Sequence, residues 1–217
     1  MDQPVHHYWQ LRLQALQDHL NKNHFETYLA DTIEVARKLV LEQILPHQEI
    51  RSIAFGGSTT LTSSGIYAAL LTQSRWPIID TFEKEISLEA KHERRRQALL
   101  ADVFITGTNA VTESGQLVNL DMIGNRVAAL TFGPRLVIVL VGRNKIVADL
   151  PAAMTRIKSY AAPANALRLD KRTPCAQKGR CQECSGPDRI CNYWSIIEKS
   201  FPKGRIKVIL INQDSGL

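Results

Sequence analysis

Four short polar clusters carry most of the residue types that could bind or transform a small molecule. Gly56-Gly57-Ser58-Thr59-Thr60 stands between an apolar run and a helical pattern. Two glycines let the backbone turn tightly and approach a ligand closely. The start of the following helix offers free N–H groups and a positive dipole end, and the hydroxyls add donors, a combination suited to phosphate or carboxylate. The loop lacks the lysine of a P-loop and the third glycine of a dinucleotide fingerprint. Ser and Thr are also ordinary helix caps. The second cluster is Thr106-Gly107-Thr108-Asn109 with Thr112-Glu113-Ser114-Gly115, the third Asp121 with Gly124-Asn125-Arg126, the fourth Gly142-Arg143-Asn144-Lys145. Each follows a stretch that reads as a strand, and ligands of open α/β sheets sit outside the carboxyl ends of strands. The expected binding rim therefore comprises Gly56, Gly57, Ser58, Thr59, Thr60, Thr108, Asn109, Asp121, Asn125, Arg126 and Lys145. Arg126 and Lys145 should make it prefer anions. Taken singly, each loop is ordinary turn chemistry.

All four cysteines fall in one stretch, Cys175-x5-Cys181-x2-Cys184-x6-Cys191, shaped by Pro174, Gly179, Gly186 and Pro187. Such clustering in a reducing compartment points to a metal before disulfides. Cys-x2-Cys supplies two ligands from a tight turn, and Cys175 and Cys191 can complete a tetrahedral set. Residues 171–191 hold five basic and two acidic residues, and five minus two leaves +3, which favours thiolates. Zinc and an iron–sulfur cluster both use four cysteines, and the spacing matches neither the usual zinc ribbon nor the common ferredoxin runs. Reduced thiols or adventitious disulfides are the alternative. The six histidines are scattered and form no metal or catalytic constellation. The run Lys91-His92-Glu93-Arg94-Arg95-Arg96 reads as a solvated helix face.

These clusters need elements to hold them. Val5, Trp9, Leu13, Leu16 and Leu20 recur at helical spacing, as do Phe25, Leu29, Ile33, Ala36, Val40 and Ile44. Residues 1–45 are thus expected as an N-terminal helical pair, broken at Asn21-Lys22-Asn23 and ended by Pro46. Residues 46–217 form the main domain, with the cysteine segment 171–191 inside it. Strands are expected at Arg51–Phe55, Pro77–Asp80, Asp102–Thr106, Gln116–Leu120, Arg135–Val141 and Arg205–Ile211. Helices are expected after Thr60, over Ser87–Leu100 and over Asp149–Leu167, and Ala162–Asp188 has the composition of a linker. Alternating strands and helices mean an α/β layer fold with a mostly parallel sheet flanked by helices.

The chain has 217 residues, enough to bury a substantial core. Its longest apolar run, Leu136 to Val141, cannot span a membrane. The first residues include His6, His7, Arg12 and Asp18 rather than an apolar signal segment, so the expected location is cytoplasmic. Net charge is +6, unevenly placed: residues 1–132 hold 12 basic and 15 acidic residues (−3), residues 133–217 hold 15 and 6 (+9). No stacking-aromatic pattern or nucleic-acid motif accompanies the basic half, which reads as a solvated surface. A homo-oligomer is compatible with all of this.

The glycine- and threonine-rich loops also resemble a known family. Gly56-Gly57-Ser58-Thr59-Thr60, the run from Thr106 to Gly115, Asn119-Leu120-Asp121 with Gly124-Asn125-Arg126, and Gly133-Pro134 before the apolar strand are similar to the LUD domain, the lactate-utilisation family that includes LutC-type proteins. The resemblance implies a fold like that of the sugar-phosphate isomerase and CoA-transferase superfamily. It implies a role in oxidation of lactate or a related organic acid, beside iron–sulfur or other electron-transfer partner proteins. Glu113-Ser114-Gly115 looks like the element in which CoA transferases of this fold carry a covalent glutamate nucleophile, which makes Glu113 a candidate catalytic residue, kept ionised by Arg126 or Lys145. The alternative is that Glu113 only bonds its own loop. The cysteine stretch resembles an extension found on a subset of LUD proteins and absent from the compact LutC type. The leading expectation is a LUD-type protein that binds a small anionic metabolite. The second is a metal-binding interaction module without catalysis of its own.

Overall fold

The computed structural model describes residues 3–217. Six parallel strands form the main sheet: Glu26–Ala30 (β1), Ile53–Phe55 (β2), Ile78–Ile79 (β3), Val103–Gly107 (β4), Leu136–Gly142 (β7) and Ile206–Ile211 (β10), in the order β1-β10-β7-β4-β2-β3. The central strands are apolar on both faces, as strands covered by helices on both sides must be. Along β7, Val137, Val139 and Val141 face one hydrophobic cluster, while Leu136, Ile138 and Leu140 face the other. The first cluster is covered by Gln3–Lys22 (α1), whose Leu13, Leu16 and Leu20 are buried against it. The second is covered by Ile33–Lys38 (α2), its π-helical continuation Leu39–Ile44, and the helices Thr59–Ser63 (α3) and Ile66–Thr72 (α4).

A second, four-stranded sheet has the order β8-β5-β6-β9, from Ala110–Thr112 (β5), Leu117–Asp121 (β6), Ile146–Val147 (β8) and Tyr193–Ile197 (β9). Beside the sheets run Leu88–Gln97 (α5), Asn125–Thr131 (α6), Leu150–Arg156 (α7), the π-helical turn Ile157–Ala161, Ala162–Arg168 (α8) and Pro174–Lys178 (α9).

The structure corrects three expectations about elements. The N-terminal segment holds two helical runs, but the strand Glu26–Ala30 stands between them where the second helix is expected to begin. His24 closes α1 with φ of 64°, and the Phe25 amide donates to the Leu20 carbonyl, so the chain leaves the helix axis. The β-branched and aromatic pair Thr27-Tyr28 then follows β10 in register, and ladder bonds outweigh the helical spacing. Helix resumes only at α2, where the Thr32 hydroxyl accepts from the Val35 amide. The strand expected at Gln116–Leu120 exists but lies in the small sheet, antiparallel to β5 and β9. The stretch with linker composition holds α8 and α9, with Thr173 capping the latter.

Candidate functional site

All six strands of the main sheet run the same way, so their carboxyl ends share one rim. Five of them feed a cleft of about 630 Å³. Gly57, Ser58 and Thr59 follow β2, Thr81 to Lys84 follow β3, Gly107 to Asn109 close β4, Lys145 follows β7, and Leu217 arrives from beyond β10. The opposite wall is built by Leu120 and Asp121 of β6, Met122, Ile123, Asn125 and Arg126, with Ile157, Ala161, Asn165 and Arg168 closing a side. A volume of this order suits an organic molecule of moderate size.

The close approach of the first two loops depends on missing side chains. A Cβ at Gly56 would stand 2.6 Å from the Thr106 hydroxyl and 2.7 Å from the Phe104 ring. One at Gly107 would stand 2.5 Å from the Ser58 hydroxyl and 3.2 Å from the Leu140 carbonyl. At either position the facing side chains, Thr106 and Phe104 or Ser58, would have to shift in a packed interior. Gly56 itself lies behind the cleft, as does Thr60, which is fully buried. The Ser58 hydroxyl caps α3 by accepting from the Leu61 amide at 3.2 Å. The Thr59 hydroxyl accepts from the Leu217 amide, and Thr60 donates to the Ser215 carbonyl.

Arg126 is 7 % exposed and its guanidinium is committed to the protein. One NH2 group donates to Asn119 Oδ1 at 2.6 Å and the Gly107 carbonyl at 3.1 Å. The other donates to Asn109 Oδ1 at 2.6 Å and to Asp121 Oδ1 at 2.5 Å. The second Asp121 oxygen accepts from the Val127 amide near the start of α6, and Asn109 Oδ1 also accepts from the Leu120 amide. The hydroxyl of Thr108 bridges the Ala110 and Val118 carbonyls. Thr108, Asn109, Asp121 and Arg126 thus stand together at the cleft as expected, but their polar atoms are largely used to lock β4, β6 and α6 into one wall.

Lys145 is treated differently. It is 3 % exposed, and its Nζ donates to the Thr60 hydroxyl at 2.8 Å. The charges acting on it are those of Arg156 and Arg126, and no carboxylate among the described residues pairs with it. Burial first, then those two cations, pull its pKa from 10.5 to about 7. Further out, the cleft is lined by Lys84, Lys91, Arg95 and Arg168, so six basic residues face two acidic ones. Both acids are engaged, Asp121 with Arg126 and Glu83 with Arg94. Apolar surface comes from Tyr67 and Phe82, whose rings meet at 5.0 Å, and from Leu120, Met122, Ile123 and Ile157.

The LUD domain model matches residues 13–211 of the chain. The chain belongs to the LUD domain family. No curated protein matches it. The crystal structure of a DUF162 family protein from Deinococcus radiodurans, at 1.70 Å resolution, shares the fold, with a TM-score of 0.50 and 15 % identity. The match covers 94 % of this chain and 98 % of that one.

Within this LUD domain, the structure does not bring Glu113 to the cleft. It sits in the turn between β5 and β6, its side chain half exposed and paired with Arg12 of α1. Its amide donates to the Val147 carbonyl, and its own carbonyl meets His19 Nδ1 at 2.6 Å. Neither Arg126 nor Lys145 is its partner. The tight turn Thr112–Gly115 demands its glycine at φ of 85°, and the hairpin points the carboxylate at α1 instead of the rim. The four cysteines, also inside the matched range, gather elsewhere. Cys175, Cys181, Cys184 and Cys191 line one small void beneath α8, all as free thiols.

Several cleft residues carry no local signal in the sequence. Tyr67, Phe82 and Arg168 belong to patterns of helix and turn, and only the β2–β3 crossover and the α7–α8 fold-back bring them in. Lys91 and Arg95 lie in the charge run expected to be a solvated face, and they reach the cleft mouth. No helix among the described residues is long and apolar enough to cross a membrane.

Proposed function

We propose that this LUD-domain protein binds a small organic anion in the rim cleft and serves lactate or related organic-acid utilisation. One observation carries the reading: a lysine buried to 3 % exposure, at the cleft floor, beside two arginines and without a carboxylate partner among the described residues. A buried cation without a counter-ion is costly and either sheds its proton or acquires an anion. An incoming carboxylate or phosphate supplies that anion. The remaining lining, cationic at the mouth and apolar along Tyr67, Phe82 and Met122, suits an anion with an organic body. The volume is far greater than a three-carbon acid needs, so such an acid fills only part of the cleft. An acyl or nucleotide body attached to the anion uses the rest. The family's link to organic-acid oxidation supports the metabolic setting, and an electron-transfer protein is the partner that such oxidation calls for.

A thermal-shift and calorimetric screen of the full chain against lactate and other carboxylates, phosphosugars and CoA esters tests this. Saturable binding by at least one class, weakened tenfold or more in Lys145→Met, is expected. No binding by any class, or equal affinity in the variant, overturns it.

A further inference from the structure

The second cavity has a different chemistry. Its volume is about 10 Å³, and its lining combines the four cysteines with apolar Ala162, Pro163 and Ile190 and with polar Lys158, Thr173, Gln182, Glu183 and Arg189. A small void lined by four cysteines suits one thiolate-ligated ion better than an iron–sulfur cube.

The lobe around it is built. Thr173 caps α9 and its hydroxyl meets Cys175 Sγ at 3.2 Å. In the Cys181-to-Cys184 turn, Glu183 adopts φ of 46°, and its amide donates to Cys181 Sγ at 3.4 Å. Arg189 donates to the carbonyls of both Cys184 and Cys191, which fixes the spacing of the two chain positions. Lys158 and Arg189 also place positive charge where a four-thiolate site would be negative. As the side chains stand, no group of three or more His, Cys, Asp or Glu among the described residues is poised to hold an ion. Each thiol turns about a single χ1, and an ion would replace the weak contacts of Cys175 with Thr173 and of Cys181 with Glu183.

We propose that Cys175, Cys181, Cys184 and Cys191 bind one zinc-class ion, and that this ion clamps the wall of the organic-anion cleft. The second half rests on shared residues. Ala162 and Ile190 line both cavities. Directly after Cys191, the Asn192 amide donates to the Asp121 carbonyl, and its side chain donates to the Met122 carbonyl, both at 2.9 Å. Asp121 is the residue that holds Arg126 and α6. Drawing the four sulfurs together fixes Cys191, hence Asn192, hence the Asp121–Arg126 wall. The metal count does not depend on what the cleft binds, so this proposal stands or falls apart from the anion reading.

The test uses the full chain, purified reduced and without oxygen. Elemental analysis should give about one zinc per chain, released by a mercurial as four thiols react. Cobalt substitution should give sulfur-to-cobalt charge transfer with the intense visible bands of a tetrahedral site. Zinc removal from the wild-type chain should raise hydrogen exchange at Met122–Arg126 severalfold, with β7 unchanged. Cys184→Ser should lose the metal, and if that variant fails to fold, the wild-type titration alone decides. Absence of stoichiometric metal with four freely alkylated thiols, or iron with labile sulfide, overturns the site. Unchanged exchange at Met122–Arg126 overturns the clamp.

Discussion

Arg126 and Lys145 are both buried cations on one cleft, and the protein supports them in opposite ways. Arg126 has Asp121 at 2.5 Å, two asparagine oxygens and a backbone carbonyl, so its charge is neutralised and most of its donors are used. Lys145 has one threonine hydroxyl and two cationic neighbours. Fully satisfied buried charges specify geometry, while unsatisfied ones store free energy that a ligand can release. On the proposed reading, the wall around Arg126 is scaffold and the floor at Lys145 is where an anion would bind. Net charge alone does not separate them, since both residues are basic and both follow strands.

The contrast is broken most severely at the scaffold. Arg126→Ala leaves the Asp121 carboxylate buried without its cation and orphans the Asn119 oxygen, while Asn109 keeps only the Leu120 amide. Removing one partner of a buried pair costs about 3–5 kcal/mol. Urea unfolding should show that loss with no change in slope. A loss under about 1 kcal/mol would mean the network is slack and Arg126 is free to serve a ligand.

Lys145→Met should act the other way on stability. It removes a desolvated amine, so the unliganded chain should keep or gain stability near neutral pH, while anion affinity falls by about 1.5–3 kcal/mol. The pH dependence separates the two residues further. The folded pKa of Lys145, about 7, lies below its unfolded value. Between them the unfolded chain binds the extra proton, so stability rises with pH from about 7 towards 10. Below about 7 the lysine is charged in both states, and the cost of burying that charge is present in full. The variant should lack this rise. Anion binding should take up a proton above pH 7, visible as buffer-dependent calorimetric heats. Identical pH profiles for wild type and variant would show that Lys145 is not the titrating group.

Sequence and structure agree where one local rule dominates. Leu136–Val141 can only be a strand covered on both faces, and Gly56 and Gly107 mark the two loops whose backbones must pass closely. Agreement fails where a distant partner decides. Glu26–Ala30 carries a helical stripe, yet β10 claims it from nearly the other end of the chain. Tyr193–Ile197 alternates only weakly in burial and becomes a strand because β6 presents an edge to it. The rim loops were legible as a set, because parallel strands deliver their ends to one side. Which rim residues are scaffold was not legible, since Asn109, Asn119 and Asp121 reveal their commitment to Arg126 only when β4 and β6 lie side by side.

Thr60→Val sharpens the floor. It removes the hydroxyl that accepts from Lys145 and donates to the Ser215 carbonyl, at constant shape. Leaving such groups unpaired costs about 1–3 kcal/mol. Lys145 should titrate lower still in this variant, since the remaining surroundings favour the neutral amine. Measured by thermal unfolding across pH, the rise in stability should begin below its wild-type onset. An unshifted onset would mean that the hydroxyl does not sense the charge.

The smallest effect belongs to Glu113. A carboxylate nucleophile must be oriented and partly withdrawn from water at the reacting centre. Glu113 is instead half exposed, paired across to α1, and outside the cleft lining. Exposed ion pairs contribute about 0–1 kcal/mol, and salt screens them. Glu113→Gln should therefore cost no more than that in urea unfolding, with the difference shrinking at high salt. Anion affinity should match wild type, because Arg12 and His19 hold a hairpin turn that lies outside the cleft lining. Loss of ligand binding in Glu113→Gln, with the fold intact, would move the reactive centre from the floor at Lys145 to the β5–β6 turn and reverse the contrast drawn between floor and wall.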